Sequence, residues 1–468
     1  MMKNKIVQKI GKLVLLVLLV VSVVQCKKEP KPSAPGFQIP QQTVNVDINT
    51  KYQTMDGLGA ALAYYTDWFV VHPKKTEIYD LAFGGLKLSI LRVMTSGNLD
   101  EIVEFAANAK RSLGHDIPIL ATSWAPSAAC KSNNKTTGAD GSNNTLKYTI
   151  VNGAPVFDYT SFANWWVAQL TAFQSRGVYP TYISIQNEPG MDVSYESCLF
   201  AASEITTGPE VTWRAGYDKA FLAVYNAIQA SGLPIPKFVG PEGVSMRDYD
   251  AQNYLDKMDL TKLYTIGYHT YCGDNSDTQI PWLTALNSYC IPKNNFMRWE
   301  TEYSGNGDWI NQAVHVHNNF TIANASAYFY WALLWCKGST PAGLIDEDNP
   351  WTYSTYYVND KYYSIKQYSY FIQKGDIRIG TDIGTATDSD IRISAFLSTD
   401  YKKVHIMVIN ISSSIEQKLT VNVPGFEAAS LNEYQSTDLA KFKTITGQKL
   451  SSISIPVRSV TTLELVLP

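Results

Sequence analysis

Glu188 and Glu302 have the sequence surroundings of catalytic carboxylates. Glu188 lies near the end of the run 182–189, Tyr-Ile-Ser-Ile-Gln-Asn-Glu-Pro, and Glu302 near the end of 297–303, Met-Arg-Trp-Glu-Thr-Glu-Tyr. Each run is apolar-rich, alternates with the period of a strand and leads to a carboxylate. An ionised carboxylate leaving water is strongly penalised unless it is paired, so a buried strand does not end in Glu without a reason. Two such strand ends brought together form a carboxylate pair, and a pair at the mouth of a barrel is the machinery of retaining glycoside hydrolysis. In that chemistry Glu302 attacks the anomeric carbon. Glu188 protonates the departing oxygen and then activates water. Their environments must push their pKa values apart, holding Glu188 protonated and Glu302 ionised.

Glu300 competes for the nucleophile position. On a regular strand it points to the same side as Glu302, so parity does not choose between them. Depth favours Glu302, because Glu300 sits a layer nearer the packed interior. Glu242, in Gly-Pro-Glu-Gly, is a third carboxylate at a strand end, suited to substrate binding or to bracing a loop. His269 and Tyr271, in Gly-Tyr-His-Thr-Tyr, stand at another strand end. A lone histidine is more often a satisfied core residue, but this one falls on the expected site face. No His, Asp or Glu cluster stands at metal-ligand spacing, and this chemistry needs no cofactor.

Positioning these residues requires a parallel sheet. From 54 to 374 short strand-like runs alternate with longer helical patterns. Eight strands are expected, at 55–60, 89–93, 119–123, 182–187, 237–241, 265–271, 297–302 and 327–331. Between them, Phe162, Trp165, Trp166, Leu170 and Phe173 share one helical face, with Gly177 beyond it. Trp213, Tyr217, Phe221, Val224 and Ile228 form another stripe, stopped by Gly232 and Pro234. Eight strands with intervening helices predict a (β/α)8 TIM barrel, whose active site lies at the C-terminal strand ends. Strands four and seven then face each other across the mouth. From 375 to 468 the pattern becomes alternating strands and turns, which predicts an antiparallel β-sandwich. The segment 43–53 alternates likewise and is expected to join that sandwich from the N-terminal side, fusing the two modules.

The first residues read as an export signal. Lys3, Lys5, Lys9 and Lys12 precede an apolar stretch, 13–24, too short to span a bilayer comfortably. It leads to Cys26 in a lipobox-like setting, so 1–26 is expected to be a lipoprotein signal with Cys26 lipidated. Residues 27–42, rich in Pro and polar residues, are the expected tether. The reading is of an exported bacterial lipoprotein anchored at the outer membrane or cell surface. The five remaining cysteines, Cys130, Cys198, Cys272, Cys290 and Cys336, show no metal spacing; a disulfide is possible but not demanded. A net charge of −3 argues against a nucleic-acid binder. The 11 Trp and 29 Tyr suit a carbohydrate site, although a large barrel core would also absorb them. A monomer acting on a polysaccharide is expected.

The Gln186-Asn187-Glu188-Pro189 and Thr301-Glu302 elements resemble clan A glycoside hydrolases. Asp56-Gly-Leu-Gly-Ala-Ala61, set between an N-terminal sandwich strand and a C-terminal sandwich, resembles glycoside hydrolase family 30, over essentially the whole mature chain. That family includes glucosylceramidases, endo-β-1,6-glucanases and glucuronoxylan-type xylanases. The resemblance implies Glu188 as acid/base, Glu302 as nucleophile and Asn187 as the amide bonded to the sugar 2-hydroxyl. It implies Arg92 as support for the nucleophile, and Trp124 and Trp331 as sugar platforms. The loop after Glu188 looks closer to the xylanase-like branch. Glucuronate-reading members place an Arg where Trp335 stands here, and Lys337 offers a point charge without the planar fork. The expectation is therefore an endo-β-1,4-xylanase without strict glucuronate dependence. The alternatives are a β-1,6-glucanase or exo-acting β-glycosidase, and a non-catalytic glycan-binding lipoprotein.

Overall fold

The computed structural model describes residues 41–468 except 246–249, 272–277, 306, 339–342, 384–389 and 428. Cys26, most of the expected tether and Cys272 lie outside the described residues. Among the described cysteines, Cys130, Cys198, Cys290 and Cys336 are buried free thiols.

Eight parallel strands close into a barrel in chain order. They are Gly57–Leu62, Ile90–Met94, Ile119–Thr122, Tyr182–Ser184, Lys237–Gly243, Leu263–His269, Arg298–Tyr303 and Ala327–Tyr330. Strand one pairs with strand eight, Ala327 to Gly57 through Tyr330 to Ala60, so the glycine-rich first run is a full member. At the N-terminal end Ile90, Leu120, Tyr182, Val239, Trp299 and Phe329 pack into an apolar plug. Two residues further along three of these strands, the same face carries buried Arg92, Thr122 and Ser184. The barrel interior thus turns from apolar to ionic one layer below the mouth.

The helices that cover the barrel are specified locally. Tyr159–Ser175 starts at Asp158, whose carboxylate accepts from the Ser161 amide at 2.9 Å, and buries Phe162, Trp166, Leu170 and Phe173. Tyr217–Ser231 buries Tyr217, Phe221, Val224 and Ile228 and ends at Gly232, whose φ of 76° is the left-handed cap that glycine takes without strain.

The C-terminal module is a nine-stranded curled sheet in which Gln41–Thr54 is an inner member. That strand pairs antiparallel with Ile377–Thr381 and parallel with Gln417–Asn422, the second pairing departing from an all-antiparallel pattern. Alternate residues, among them Val44, Val46, Ile393, Ile406, Leu419 and Leu463, form its core. Phe396 and Met407 belong instead to the barrel's cluster. Buried Gln367 joins the modules, accepting from Thr462 Oγ1 at 2.6 Å and donating to Ser436 Oγ at 2.9 Å.

Candidate active site

Strand seven does not run regularly through its acidic residues. Tyr268 pairs with Glu300 and the next residue, His269, pairs with Glu302. On the other side Glu300 faces Tyr328 and Tyr303 faces Tyr330. Strand seven therefore carries one extra residue against both neighbours, a β-bulge that re-aims the side chains beyond it. The expectation that Glu300 and Glu302 share a face is overturned here. Glu300 lies among Tyr268, Thr270 and Tyr328, fully buried, and burial holds its carboxyl well above the usual range although Thr270 acts to lower it. Glu302 turns into the barrel mouth.

The other two mouth carboxylates also sit at breaks in regular backbone. Strand four ends at Ser184, earlier than the expected 187, so Glu188 belongs to the segment that follows the strand. Its φ is 45°, and its amide donates to the Glu242 carbonyl at 3.0 Å. Glu242 has φ 56° at a register shift against strand six. A non-glycine residue with such a φ is uncommon and marks strain held by its surroundings. Here it aims both carboxyls inward.

Arg92 joins these groups. Its Nη1 donates to Glu302 Oε2 at 2.6 Å, its Nη2 to Asn187 Oδ1 at 2.7 Å, and its Nε to Thr122 Oγ1 at 3.3 Å. Nη2 also lies 3.3 Å from Glu242 Oε1, and the guanidinium sits 4.5 Å from the Trp124 ring centre. The bond to Asn187 Oδ1 fixes that amide with its NH2 turned away from the cation, free to donate elsewhere. The Tyr271 hydroxyl donates to Glu302 Oε1 at 3.2 Å. His269 Nδ1 lies 3.0 Å from Glu188 Oε1.

These contacts set different charge states. Burial pushes Glu188 up to about 7; Arg92 opposes the shift and Glu242 adds to it. Burial also raises Glu302, against the Arg92 guanidinium. Glu302 nonetheless has the guanidinium in direct contact, whereas the contact partner of Glu188 is an imidazole that burial holds down at about 4 and so neutral. The proton of the pair therefore belongs on Glu188. Burial acts upward on Glu242, but the Arg92 guanidinium and the Ser184 and Thr301 hydroxyls pull the other way, and it stays below its ordinary value.

One oxygen from each of Glu188 and Glu302 and one ring nitrogen of His269 lie within 4.8 Å of one another. Linear spacing gave no sign of this grouping. Its donors would suit a divalent ion, but the Arg92 guanidinium already contacts Glu302 at 2.6 Å, and a second cation there would be repelled.

Trp124, Trp331 and Trp335 gather over this centre with Tyr64, Tyr65 and Trp68. Trp124 and Trp331 lie 5.7 Å apart, and Trp331 and Trp335 5.5 Å apart. Lys337 is committed elsewhere, its Nζ 3.6 Å over the Tyr357 ring and 3.9 Å from Asp348. Of the site residues singled out in the sequence, all but Cys26, Glu300 and Lys337 are thus in or beside this cluster.

Some neighbours were not singled out, Tyr65 and Trp68 among them. Tyr64 donates to Glu196 at 2.9 Å beside the tryptophans. Tyr195, partly open to solvent, has its hydroxyl pushed up by the desolvation of its inner part and by the charges of Glu188 and Glu302. Both acidic and aromatic members of the loop after Glu188 were visible in the sequence, but nothing in it said that the loop folds back over the mouth.

No family model matches the sequence. Solved structures do match the fold. The family 30 subfamily 8 xylanase of Clostridium acetobutylicum superposes with a TM-score of 0.68 at 21% identity, covering 91% of this chain and 100% of that one. The catalytic domain of the family 30 xylanase C of Talaromyces cellulolyticus gives 0.70 at 18% identity, with 91% and 100% coverage. An endo-β-1,6-glucanase gives 0.65 at 17% identity, with 91% and 95% coverage. The barrel with its fused sandwich is the fold of these family 30 xylanases, and the glucanase superposes on it as well.

Proposed function

We propose that this chain is a retaining glycoside hydrolase of the family 30 type acting on a β-linked polysaccharide. The observation that carries the reading is the approach of Glu188 and Glu302 to within 4.8 Å, in surroundings that leave one protonated and the other ionised. Retaining enzymes hold their carboxyls about 5–5.5 Å apart, and inverting ones about 6.5–9.5 Å. In the first step a Glu302 oxygen bonds to the anomeric carbon, the bond to the leaving oxygen breaks, and that oxygen takes the Glu188 proton. In the second, Glu188 removes a proton from water, the water oxygen bonds to the same carbon, and Glu302 leaves as carboxylate. Asn187, with its oxygen held by Arg92, presents its amide NH2 to the sugar 2-hydroxyl. Glu242 keeps Arg92 in place and acts on Glu302 through it.

Within that class the proposed activity is that of an endo-β-1,4-xylanase without strict glucuronate dependence, acting as a monomer. The similarity to two xylanases supports xylan, and Trp335 places an apolar ring where a glucuronate clamp would need a guanidinium fork. A β-1,6-glucanase is the second reading, favoured by a fold match of nearly equal quality. Product analysis decides: glucuronoxylan, arabinoxylan, linear xylan, β-1,6-glucan and an aryl β-glucoside are offered to the wild type and to Glu302→Gln. Xylo-oligosaccharides from linear and decorated xylan alike support the proposal. Acidic products from glucuronoxylan alone, or release from the glucan only, overturn its substrate. Binding without turnover moves the reading to a glycan-binding protein.

Export and lipidation at Cys26 belong to the same proposal. Metabolic labelling with a fatty acid, lost in Cys26→Ala, tests it.

A further inference from the structure

The tryptophans over the reaction centre begin a longer series of rings. Beyond the Trp331–Trp335 contact, Trp335 lies 5.0 Å from Tyr65, Tyr65 lies 5.3 Å from Trp68, and Trp68 lies 5.9 Å from Trp351. The series starts at Trp124, which covers Arg92, and ends at a ring that is 65% exposed. Exposure rises along it. Trp124, Trp331 and Trp335 are buried, Tyr65 and Trp68 are half-buried, and Trp351 and neighbouring Tyr353 stand in solvent.

Two features mark the outer end as built. The loop that carries Trp351 and Tyr353 is braced at its base, where Asp348 accepts from Thr355 Oγ1 at 2.6 Å and from Tyr357 Oη at 2.8 Å. Asn349 turns it, taking the Trp351 amide on its side-chain oxygen at 3.0 Å and the Tyr353 amide on its carbonyl at 2.9 Å. Large aromatics held out on a stiff loop lose little entropy when they are covered. Tyr65 also carries a φ of 59°, an uncommon conformation for a bulky residue, while its ring packs between Trp335 and Trp68.

We propose that the exposed outer end of this ring series, Trp351 and Tyr353, is a distal binding track for the polysaccharide, holding sugar units well beyond the scissile bond, while the rings packed edge to face behind it fix its position. The proposal rests on the glycoside hydrolase reading. Sugars expose flat C–H faces that stack on aromatic rings. The occupant is the continuation of the glycan chain in the reaction centre, because Trp351 and Tyr353 stand exposed at the outer end of the cluster whose inner rings cover that centre. Such a track favours internal cleavage of long chains over trimming of short ones.

The test separates binding from turnover. Glu302→Gln and Glu302→Gln/Trp351→Ala are run by affinity electrophoresis in gels carrying soluble glucuronoxylan or β-1,6-glucan. Trp351→Ala and Trp351→Phe are compared with wild type for kcat/KM on a hexasaccharide and a disaccharide of whichever glycan is cleaved. The expected result is retardation weakened roughly fivefold to tenfold by the alanine, as for an aromatic contact at an interface, with most of it restored by phenylalanine. The kcat/KM loss is expected to be larger on the hexasaccharide than on the disaccharide. Equal retardation with and without Trp351 overturns the track even if the enzyme is active. Absence of retardation by either glycan overturns it as well, and turnover on the substrate panel then reports separately on the hydrolase reading. Tyr353→Ala, equally exposed at the surface, guards against a folding artefact at Trp351.

Discussion

Arg92 Nη1 meets Glu302 Oε2 at 2.6 Å, whereas the contact partner of Glu188 is the neutral ring of His269 at 3.0 Å. On that difference rests the proposed division of labour, Glu302 as nucleophile and Glu188 as acid, and the predictions below follow from it.

Replacing Glu302 by Gln removes the proposed nucleophile, and turnover should fall to background on every substrate. Glu188→Gln should lower kcat/KM on polysaccharide by about 10²–10⁴-fold, the range for lost general acid–base help. Its loss should be smaller on an aryl glycoside whose leaving group needs no proton. Added azide should restore turnover of that glycoside and give an azido-sugar of retained configuration, read by NMR. An inverted product would end the retaining assignment.

Glu300→Gln should be nearly silent in kinetics, with kcat/KM within about threefold of wild type, because a carboxyl kept neutral by burial is well mimicked by an amide. Complete loss of activity with the fold intact by circular dichroism would make Glu300 the nucleophile instead.

The kcat/KM profile against pH should be a narrow bell. Glu188, raised to about 7, must be protonated, so activity should fall as pH rises through that value. Glu302 must be ionised, and its raised pKa should carry the acid limb above the ordinary glutamate value. The two limbs belong to the coupled pair. Residual activity in Glu188→Gln should lose the alkaline limb. An alkaline limb unchanged in that variant would assign it to another group.

Stability should respond to the same group. The folded pKa of Glu188, about 7, exceeds its unfolded value, so the native state binds more protons between the two and loses stability as pH rises through that window. Glu188→Gln lacks this loss. Thermal melts should show it gaining on wild type between pH 5 and pH 8, by about 1–3 kcal/mol at the upper end. A difference that does not vary with pH would mean that Glu188 is not protonated in the folded protein.

Arg92→Met leaves Glu302 and Glu242 buried without their cation. It should destabilise the fold by about 3–5 kcal/mol, the usual penalty for breaking a buried pair. Denaturant melts measure this. Arg92→Lys keeps the charge but cannot serve Glu302 and Asn187 together, and should recover stability better than activity.

The barrel was legible because its strands and helices repeat a simple period, with Phe162, Trp166, Leu170 and Phe173 as the clearest stripe. The pairing of Glu188 with Glu302 followed from strand position alone. The exclusion of Glu300 by orientation did not, because a bulge is an extra residue in a ladder and shows only when both neighbouring strands are aligned. The left-handed backbone at Glu188 and Glu242 was equally hidden, since glutamate carries no sequence sign of a positive φ as glycine does. The aromatic series from Trp335 to Trp351 joins residues far apart in the chain, and no local pattern connects them.

The strand Gln41–Thr54 finds its partners at Ile377–Thr381 and Gln417–Asn422, Val46 pairing with Thr381 and Gln41 with Lys418, well over three hundred residues later. During synthesis at about 5–20 residues per second, it waits tens of seconds with both edges open. Barrel strand one waits likewise for strand eight. Both modules therefore close late and nearly together, each completed by a segment made early. The nascent chain carries unpaired β edges for most of its elongation, so the yield of native protein depends on keeping those edges apart until the C-terminal strands arrive.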